Sequence, residues 1–224
     1  MLITNENYYS FPAVSNSELS KLQLMWESED VAFDKQLAYD DGNLVDAVIT
    51  EPHRVDYFKR TVQGIDRVFT PEKIEMAKQM KRIFQNDAFC KKLMLSCSFQ
   101  HISYKPNFKI TYDGWEFEIP AKCKWDLFCK NFDLSGDIKS TAVTTQKQFI
   151  DACHYFDYFR SRAFYMDLEG RKNDIIIGIS KKNFEVFKVP ITKELYNLGK
   201  KQYQELAFKW FYLFGDLNTL KKIN

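Results

Sequence analysis

The 224-residue sequence has little of what would mark a specialised class of protein. Its five cysteines (Cys90, Cys97, Cys123, Cys129, Cys153) are odd in number and contain no Cys-x-x-Cys pair. That excludes a zinc ribbon, argues against a disulfide framework, and makes reduced, buried thiols the expectation. The histidines, His53, His101 and His154, lack the spacing of zinc ligands and are expected to be structural or surface residues. Cys153 and His154 are chain neighbours whose side chains diverge on a helix, so a cysteine nucleophile with a histidine base is not expected. Glycine (8) and proline (6) are scarce beside 45% hydrophobic and 16% aromatic residues, which excludes a disordered, collagen-like or linker-rich chain. No internal repeat or low-complexity tract is present. No apolar run approaches membrane-spanning length, and Asn5, Glu6 and Asn7 stand where a signal peptide would need an apolar stretch. A soluble cytoplasmic protein without a membrane partner is the expectation. Thirty-two basic residues nearly balance 30 acidic ones, a net charge of +2, so any field that attracts nucleic acid must be local.

What is there reads as one domain over 1–224, with residues 1–95 mainly helical and residues 96–224 containing a sheet. Val14-Ser15-Asn16-Ser17-Glu18-Leu19 carries a capping-box pattern, and Leu19, Leu22 and Met25 or Trp26 follow at helical spacing; the acidic run Glu27 to Asp30 is expected to end that helix. Gly42 to Ile49 reads as a short buried helix stopped at Glu51-Pro52, with one carboxylate, Asp46, inside it. Thr70-Pro71-Glu72 opens a further helix whose stripe is Ile74, Ala77, Met80 and Phe84. The period then changes. Phe108, Ile110 and Tyr112 alternate with polar residues up to Asp113-Gly114, a hairpin dipeptide, and Trp115 to Leu127 alternates after it, with every second residue on one apolar face and Asp126 in the polar set. Phe132–Thr141 reads as the next strand, Gln146–Asp167 as a helix, and the runs Ile175–Ile179 and Phe184–Val189 as two more strands. Thr192 caps a final helix, whose aromatics Trp210, Phe211, Tyr212 and Phe214 are read as core rather than as a subunit interface. The class is α+β (α/β): a mixed central sheet flanked by helices, with a helical N-terminal region.

The chemistry concentrates in Lys122 to Thr141. Asp137 and Lys139 are two apart on a strand and share a face, followed by Thr141, and pairing with the preceding strand can bring Asp126 beside them. Carboxylates at a strand edge make an oxygen-rich site for a hard cation, Mg²⁺ or Mn²⁺, rather than zinc. Such an ion acidifies water and offsets phosphate charge, and Lys139 can orient the water or stabilise the transition state of a phosphodiester hydrolysis. Taken alone, Asp-x-Lys recurs by chance, and a salt-bridged pair on a solvated strand is its bland meaning.

The wider pattern is more specific: a strand ending in Lys-Trp-Asp, a loop, Gly-Asp-Ile-Lys-Ser-Thr, then a helix with Tyr155, Tyr158 and Phe164-Tyr165. In this order the chain resembles the PD-(D/E)xK nuclease superfamily, and within it the phage-type exonucleases such as exonuclease VIII and the lambda exonuclease, over nearly its whole length. Ser15-Asn16-Ser17-Glu18-Leu19 resembles their Ser-x-Ser-x-Leu opening, and Gly42 to Pro52 their Gly-x-x-x-His helix followed by Glu-Pro. The resemblance implies a restriction-endonuclease-like core, catalytic roles for Asp126, Asp137 and Lys139, and a metal held by Asp126, Asp137, the carbonyl of Ile138, and Asp46 where many relatives have histidine. It implies a Mg²⁺-dependent exonuclease on linear double-stranded DNA, partnered by a single-strand annealing protein and able to form a ring-like homo-oligomer. Arg162 to Asp167 resembles the helix of the Gln-x-x-x-Tyr motif; Tyr165 fits its tyrosine, and Ser161 stands where the glutamine belongs. Lys122, Lys124, Ser140, Thr141, Arg160, Ser161, Arg162 and Tyr165 are the candidate DNA contacts, with a solvated helix face the alternative for the two arginines. An endonuclease or single-strand repair nuclease of the same fold, and a decayed DNA-binding module, stay open.

Overall fold

The computed structural model describes residues 2–27 and 35–223. It begins with α1 (Asn16–Glu27) and α2 (Lys35–Thr50), a short helical turn at Pro52–Arg54 and a small hairpin of β1 (Val55–Asp56) and β2 (Thr61–Val62). Next come α3 (Pro71–Asn86), α4 (Ala88–Ser96), β3 (Ser98–Tyr112), β4 (Trp115–Cys129) and β5 (Leu134–Thr141). The chain continues through α5 (Gln146–Tyr155), α6 (Tyr158–Glu169), β6 (Asp174–Ser180), β7 (Val186–Pro190), α7 (Lys193–Phe214) and β8 (Lys221–Lys222). Part of the acidic run expected to end α1, at 28–30, lies outside the described residues.

The expected local signals act where they stand. The Thr70 side chain accepts from the amide of Lys73, Pro71 opens α3, and Ile74, Ala77, Met80 and Phe84 are its buried stripe. Thr192 likewise caps α7 at the Leu195 amide. At the start of α1 the Glu18 carboxylate takes both the amide and the hydroxyl of Ser15. Asp113 and Gly114 both have positive φ, 48° and 75°, the conformation that a two-residue hairpin matched to strand twist requires. The α2 helix begins earlier than expected, and α4 was not expected at all; its start is fixed by Asp87, whose carboxylate accepts from the amides of Phe89 and Cys90. The helical pattern of Gln146–Asp167 is broken in two at Asp157, which takes a left-handed backbone, φ 53°.

The main sheet runs β3-β4-β5-β6-β7, antiparallel except for the parallel pair β5-β6, so it is a mixed sheet of the restriction-endonuclease-like kind. The outer edge of β4 is shared by three partners. Trp115 and Glu116 pair with β8, Val14 bridges to Ala121, and Leu127 to Cys129 pair with β5. Strand β6 is buried on both faces, which explains its uninterrupted isoleucines: Ile175, Ile177 and Ile179 join the cluster under α2 and α3, and Ile176 joins the one under α5. A third cluster fills the space between β3, β4, α6 and α7. The close approach of α6 and α7 depends on Gly199, where a Cβ would lie 2.0 Å from the carbonyl oxygen of Phe159.

Three expectations are corrected here. The alternation of β4 holds only to Trp125: Trp125 and Phe128 pack in the α6–α7 cluster, whereas Leu127 packs in the α2–α3 cluster, so the strand changes face at Asp126. Cys97 and Cys129 are joined in a disulfide, because the pairing of Ser98 with Phe128 sets their flanking residues opposite one another; Cys90, Cys123 and Cys153 are free and buried. At the end of α7 only Phe211 is buried among the four aromatics, with Trp210 packed at the core margin; Tyr212 is turned off that face by one helical step and Phe214 stands at the helix's last residue, and each is 62% exposed. Among the described residues no helix is long and apolar enough to cross a membrane.

Candidate active site

The β4–β5 ladder runs from Cys129 opposite Leu134 to Leu127 opposite Gly136 and there it stops. Asp126 is the first residue of β4 beyond it, and its Oδ2 accepts the Ile138 amide at 2.8 Å, taking up a donor the ladder has left. Two strands that part after a short pairing form a fork, and the carboxylate of Asp126 lies in its crotch. Because the N–H and C=O of one strand residue point to the same edge, the Ile138 carbonyl also faces β4. Asp137 and Lys139 flank Ile138 on the other face, with Lys139 Nζ 2.6 Å from Asp137 Oδ2 and 5.2 Å from the centre of the Tyr158 ring. Parallel pairing with β6, Asp137 opposite Ile176 and Lys139 opposite Gly178, fixes this stretch in the sheet.

From α2, Asp46 enters the same field. Its carboxyl is pushed up to about 6 by burial, with Lys139 and the Thr50 hydroxyl pulling the other way and the charges of Glu51 and Asp137 adding to the rise. Burial, then the charges of Asp46 and Asp137, hold the Asp126 carboxyl well above the usual carboxylate range. Burial alone would lower Lys139, but Asp137 and Asp126 outweigh it and keep the ammonium charged. Three carboxylates thus repel one another around a single lysine.

Several partners of these groups were not read as such in the sequence, where Arg162 stood as a candidate DNA contact and Glu51 as part of the Glu-Pro stop of α2. Arg162 is fully buried, with Nη1 3.2 Å from Asp137 Oδ1 and Nε 2.6 Å from Asp174 Oδ2. Its guanidinium lies 4.9 Å from the Trp125 ring and 4.7 Å from that of Tyr165. An arginine amid Phe159, Ala163, Phe164 and Met166, all buried, was the available clue. Gln100 donates to both oxygens of Asp46, at 3.2 and 3.4 Å. Glu51, just past α2, is buried against Arg54 at 2.5 Å, with Lys124 3.9 Å away.

The sequence-derived DNA contacts separate into two groups. Lys122 is 1% exposed and its Nζ donates to the carbonyls of Tyr8 and Phe11, so it secures the N-terminal segment rather than a phosphate. Arg160 is buried and donates to Asn16, Ser20, Gln23 and Asp157, tying α6 to α1. Arg162 is committed to Asp137 and Asp174, so the solvated-face alternative fails for both arginines as well as the contact. Ser161 gives its hydroxyl proton to the Tyr158 carbonyl, and Tyr165 packs edge-on against Trp125 at 5.2 Å. Lys124, Ser140 and Thr141 remain partly exposed beside the fork. His101 stacks on Phe128 and His154 meets Phe159 edge-on, away from this cluster's chemistry.

Fit to a divalent cation can be tested on the donors themselves. Asp137 Oδ2 is a buried carboxylate oxygen whose charge is met by the Lys139 ammonium 2.6 Å away. Asp126 and Asp46 are carboxylates whose charge is unfavourable without a cation. Among the described residues no three side chains of the carboxylate, histidine or cysteine type close tightly around one point. The donor chemistry, hard carboxylate oxygens that repel one another, fits a divalent cation.

No curated protein matches the sequence. Among solved structures the chain is similar to the crystal structure of SSO0001, with 15% identity, 89% of this chain and 86% of that one covered, and a TM-score of 0.38. The model of the family described as "PDDEXK-like domain of unknown function (DUF3799)" matches residues 7–206, and the chain belongs to that family, within the PD-(D/E)xK nuclease superfamily.

Proposed function

We propose that this protein is a metal-dependent deoxyribonuclease that hydrolyses phosphodiester bonds from the ends of linear double-stranded DNA. The observation that carries the reading is the fork: β4 and β5 part so that Asp126, Asp137, the Ile138 carbonyl and Lys139 gather at one opening, with Asp46 facing them from α2. Asp126, Asp137, Asp46 and the Ile138 carbonyl would hold the ion. When bound, Mg²⁺, or Mn²⁺ in its place, supplies acidification of water and compensation of phosphate charge. Lys139, kept protonated by its carboxylate neighbours, stabilises the charge that grows on the phosphoryl oxygens. Arg162 holds Asp137 from behind, so the carboxylate keeps one orientation as its neighbours change charge. Lys124, Ser140 and Thr141 are placed to meet the DNA backbone, which sets register without reading sequence.

End-dependence, a single-strand annealing protein as working partner and a ring-like homo-oligomer rest on the resemblance to phage-type exonucleases. The test is end-labelled linear DNA beside closed-circular DNA, with Mg²⁺ or EDTA, and with Asp137→Ala as control. Mg²⁺-dependent loss of the linear DNA alone, absent in the variant, is the expected result. Cleavage of circles would replace this reading with an endonuclease, and inactivity on every DNA with either metal would replace it with a binding module.

A further inference from the structure

Gln100 is out of place for an ordinary strand residue. It lies within β3, is 6% exposed, and has φ 53°, the left-handed region that side chains other than glycine, asparagine and aspartate seldom occupy. No turn requires this. The strand pairs normally on either side, Phe99 with Leu127 and His101 with Trp125, so Gln100 stands opposite Asp126, the residue at which β4 changes face and leaves β5. Both strands are therefore irregular at one level of the sheet, and that level is the candidate active site.

The side chain shows what the irregularity achieves. Gln100 Nε2 donates to Asp46 Oδ2 at 3.2 Å and Oδ1 at 3.4 Å, and to Thr50 Oγ1 at 3.0 Å. The Thr50 hydroxyl in turn donates back to the Asp46 carbonyl at 2.9 Å. A single amide thus reaches from the sheet to two residues one turn apart on α2 and holds the Asp46 carboxylate by both oxygens. Backbone strain of this kind persists where the surroundings fix it, and it concentrates at functional sites. The donor is also neutral. A lysine or arginine here would cancel the charge of Asp46 and compete with a bound cation, and a glutamate would add to the repulsion already present among Asp46, Asp126 and Asp137.

We propose that Gln100 is the positioning residue of the metal centre: its left-handed backbone aims a neutral amide at Asp46 and so presents that carboxylate of α2 to the cation shared with Asp126 and Asp137. The inference rests on the metal-dependent reading above and adds a residue that does not itself touch the ion. Partners of this type typically change metal affinity by about 10–100-fold when removed.

The test uses the full chain and Mn²⁺ alone, its binding followed by calorimetry and by the electron paramagnetic resonance signal of the free ion, with thermal unfolding in EDTA measured beside it. Gln100→Asn keeps a residue that tolerates the left-handed region but shortens the amide's reach; Gln100→Met keeps the volume and removes the donor. The expected result is Mn²⁺ affinity weakened about tenfold or more in both, with Gln100→Asn melting in EDTA no lower than the wild type. Affinities within twofold of wild type in either folded variant would overturn the positioning role while leaving the nuclease reading intact. A wild-type protein that binds no Mn²⁺ would overturn both.

Discussion

The Asp46 carboxyl gives the sharpest quantitative expectation. Its pKa is raised from 3.8 to about 6, by burial first. The folded protein therefore holds a proton at Asp46 between those two values that the unfolded chain has released. Stability falls as pH rises through this window, and above about pH 6 the folded state carries the full cost of the charge. A rise of that size corresponds to about 2–3 kcal/mol. Asp46→Asn removes the titration while keeping the shape and an oxygen for Gln100 to donate to. Without metal, the variant is expected to match the wild type near pH 4 and to exceed it by about 2–3 kcal/mol at pH 8, which for a chain of this size is a rise in Tm of roughly 5–10 °C. Mg²⁺ should then reverse the order in part, since a ligand at a hundredfold over its Kd adds about 2.7 kcal/mol to the wild type and little to the variant. Urea unfolding at pH 4 and pH 8, with and without Mg²⁺, reads all four corners. A variant less stable than wild type at pH 8, or a difference independent of pH, would refute the reasoning.

Other expectations follow from the same geometry. Asp137→Ala should lose Mn²⁺ binding and activity together, whereas Lys139→Ala should keep the metal and lose about 10²–10³ in kcat; equal metal loss in both, by calorimetry, would undo that division of roles. Arg162→Met leaves Asp174 buried without its cation and Asp137 with Lys139 alone, so denaturant unfolding should show a loss of about 3–5 kcal/mol. Lys122→Met removes the ammonium that holds the carbonyls of Tyr8 and Phe11, leaving the Phe11 carbonyl only its bond from the Ala13 amide, and should hasten chymotrypsin cleavage in that segment without altering the salt dependence of DNA binding. Lys124→Ala, by contrast, should reduce the slope of log K against log salt by about one phosphate contact.

Much of the architecture was legible because local chemistry and tertiary demand agree. The cap and stripe of α3, the Asp113-Gly114 turn, the β6 run and the Lys-Trp-Asp to Gly-Asp-Ile-Lys sequence each act at short range, and the structure brings Asp126, Asp137 and Lys139 together as their spacing allowed. What was not legible depends on which partner arrives. Alternation assigns Lys122 to the polar face of β4, and only the return of the N-terminal segment across that face buries it. Arg160 and Arg162 look like helix-surface charges until α1 and Asp174 are placed against them. The break at Asp157 interrupts a helical pattern that has no glycine or proline to announce it. Gln100 is the extreme case, a strand residue in sequence whose backbone conformation is imposed entirely by what surrounds it.

The bond from the Ile138 amide to Asp126 has a consequence for how this centre can be observed. An amide in a continuous ladder reports only on unfolding, but this one is bound by a carboxylate whose charge changes with pH and with any cation it meets. Its resonance frequency and its hydrogen-exchange rate should therefore follow the state of Asp126 and of any cation that Asp126 and the Ile138 carbonyl share. The sheet thus contains a single backbone probe of its own chemistry, readable without a label, a substrate or a substitution.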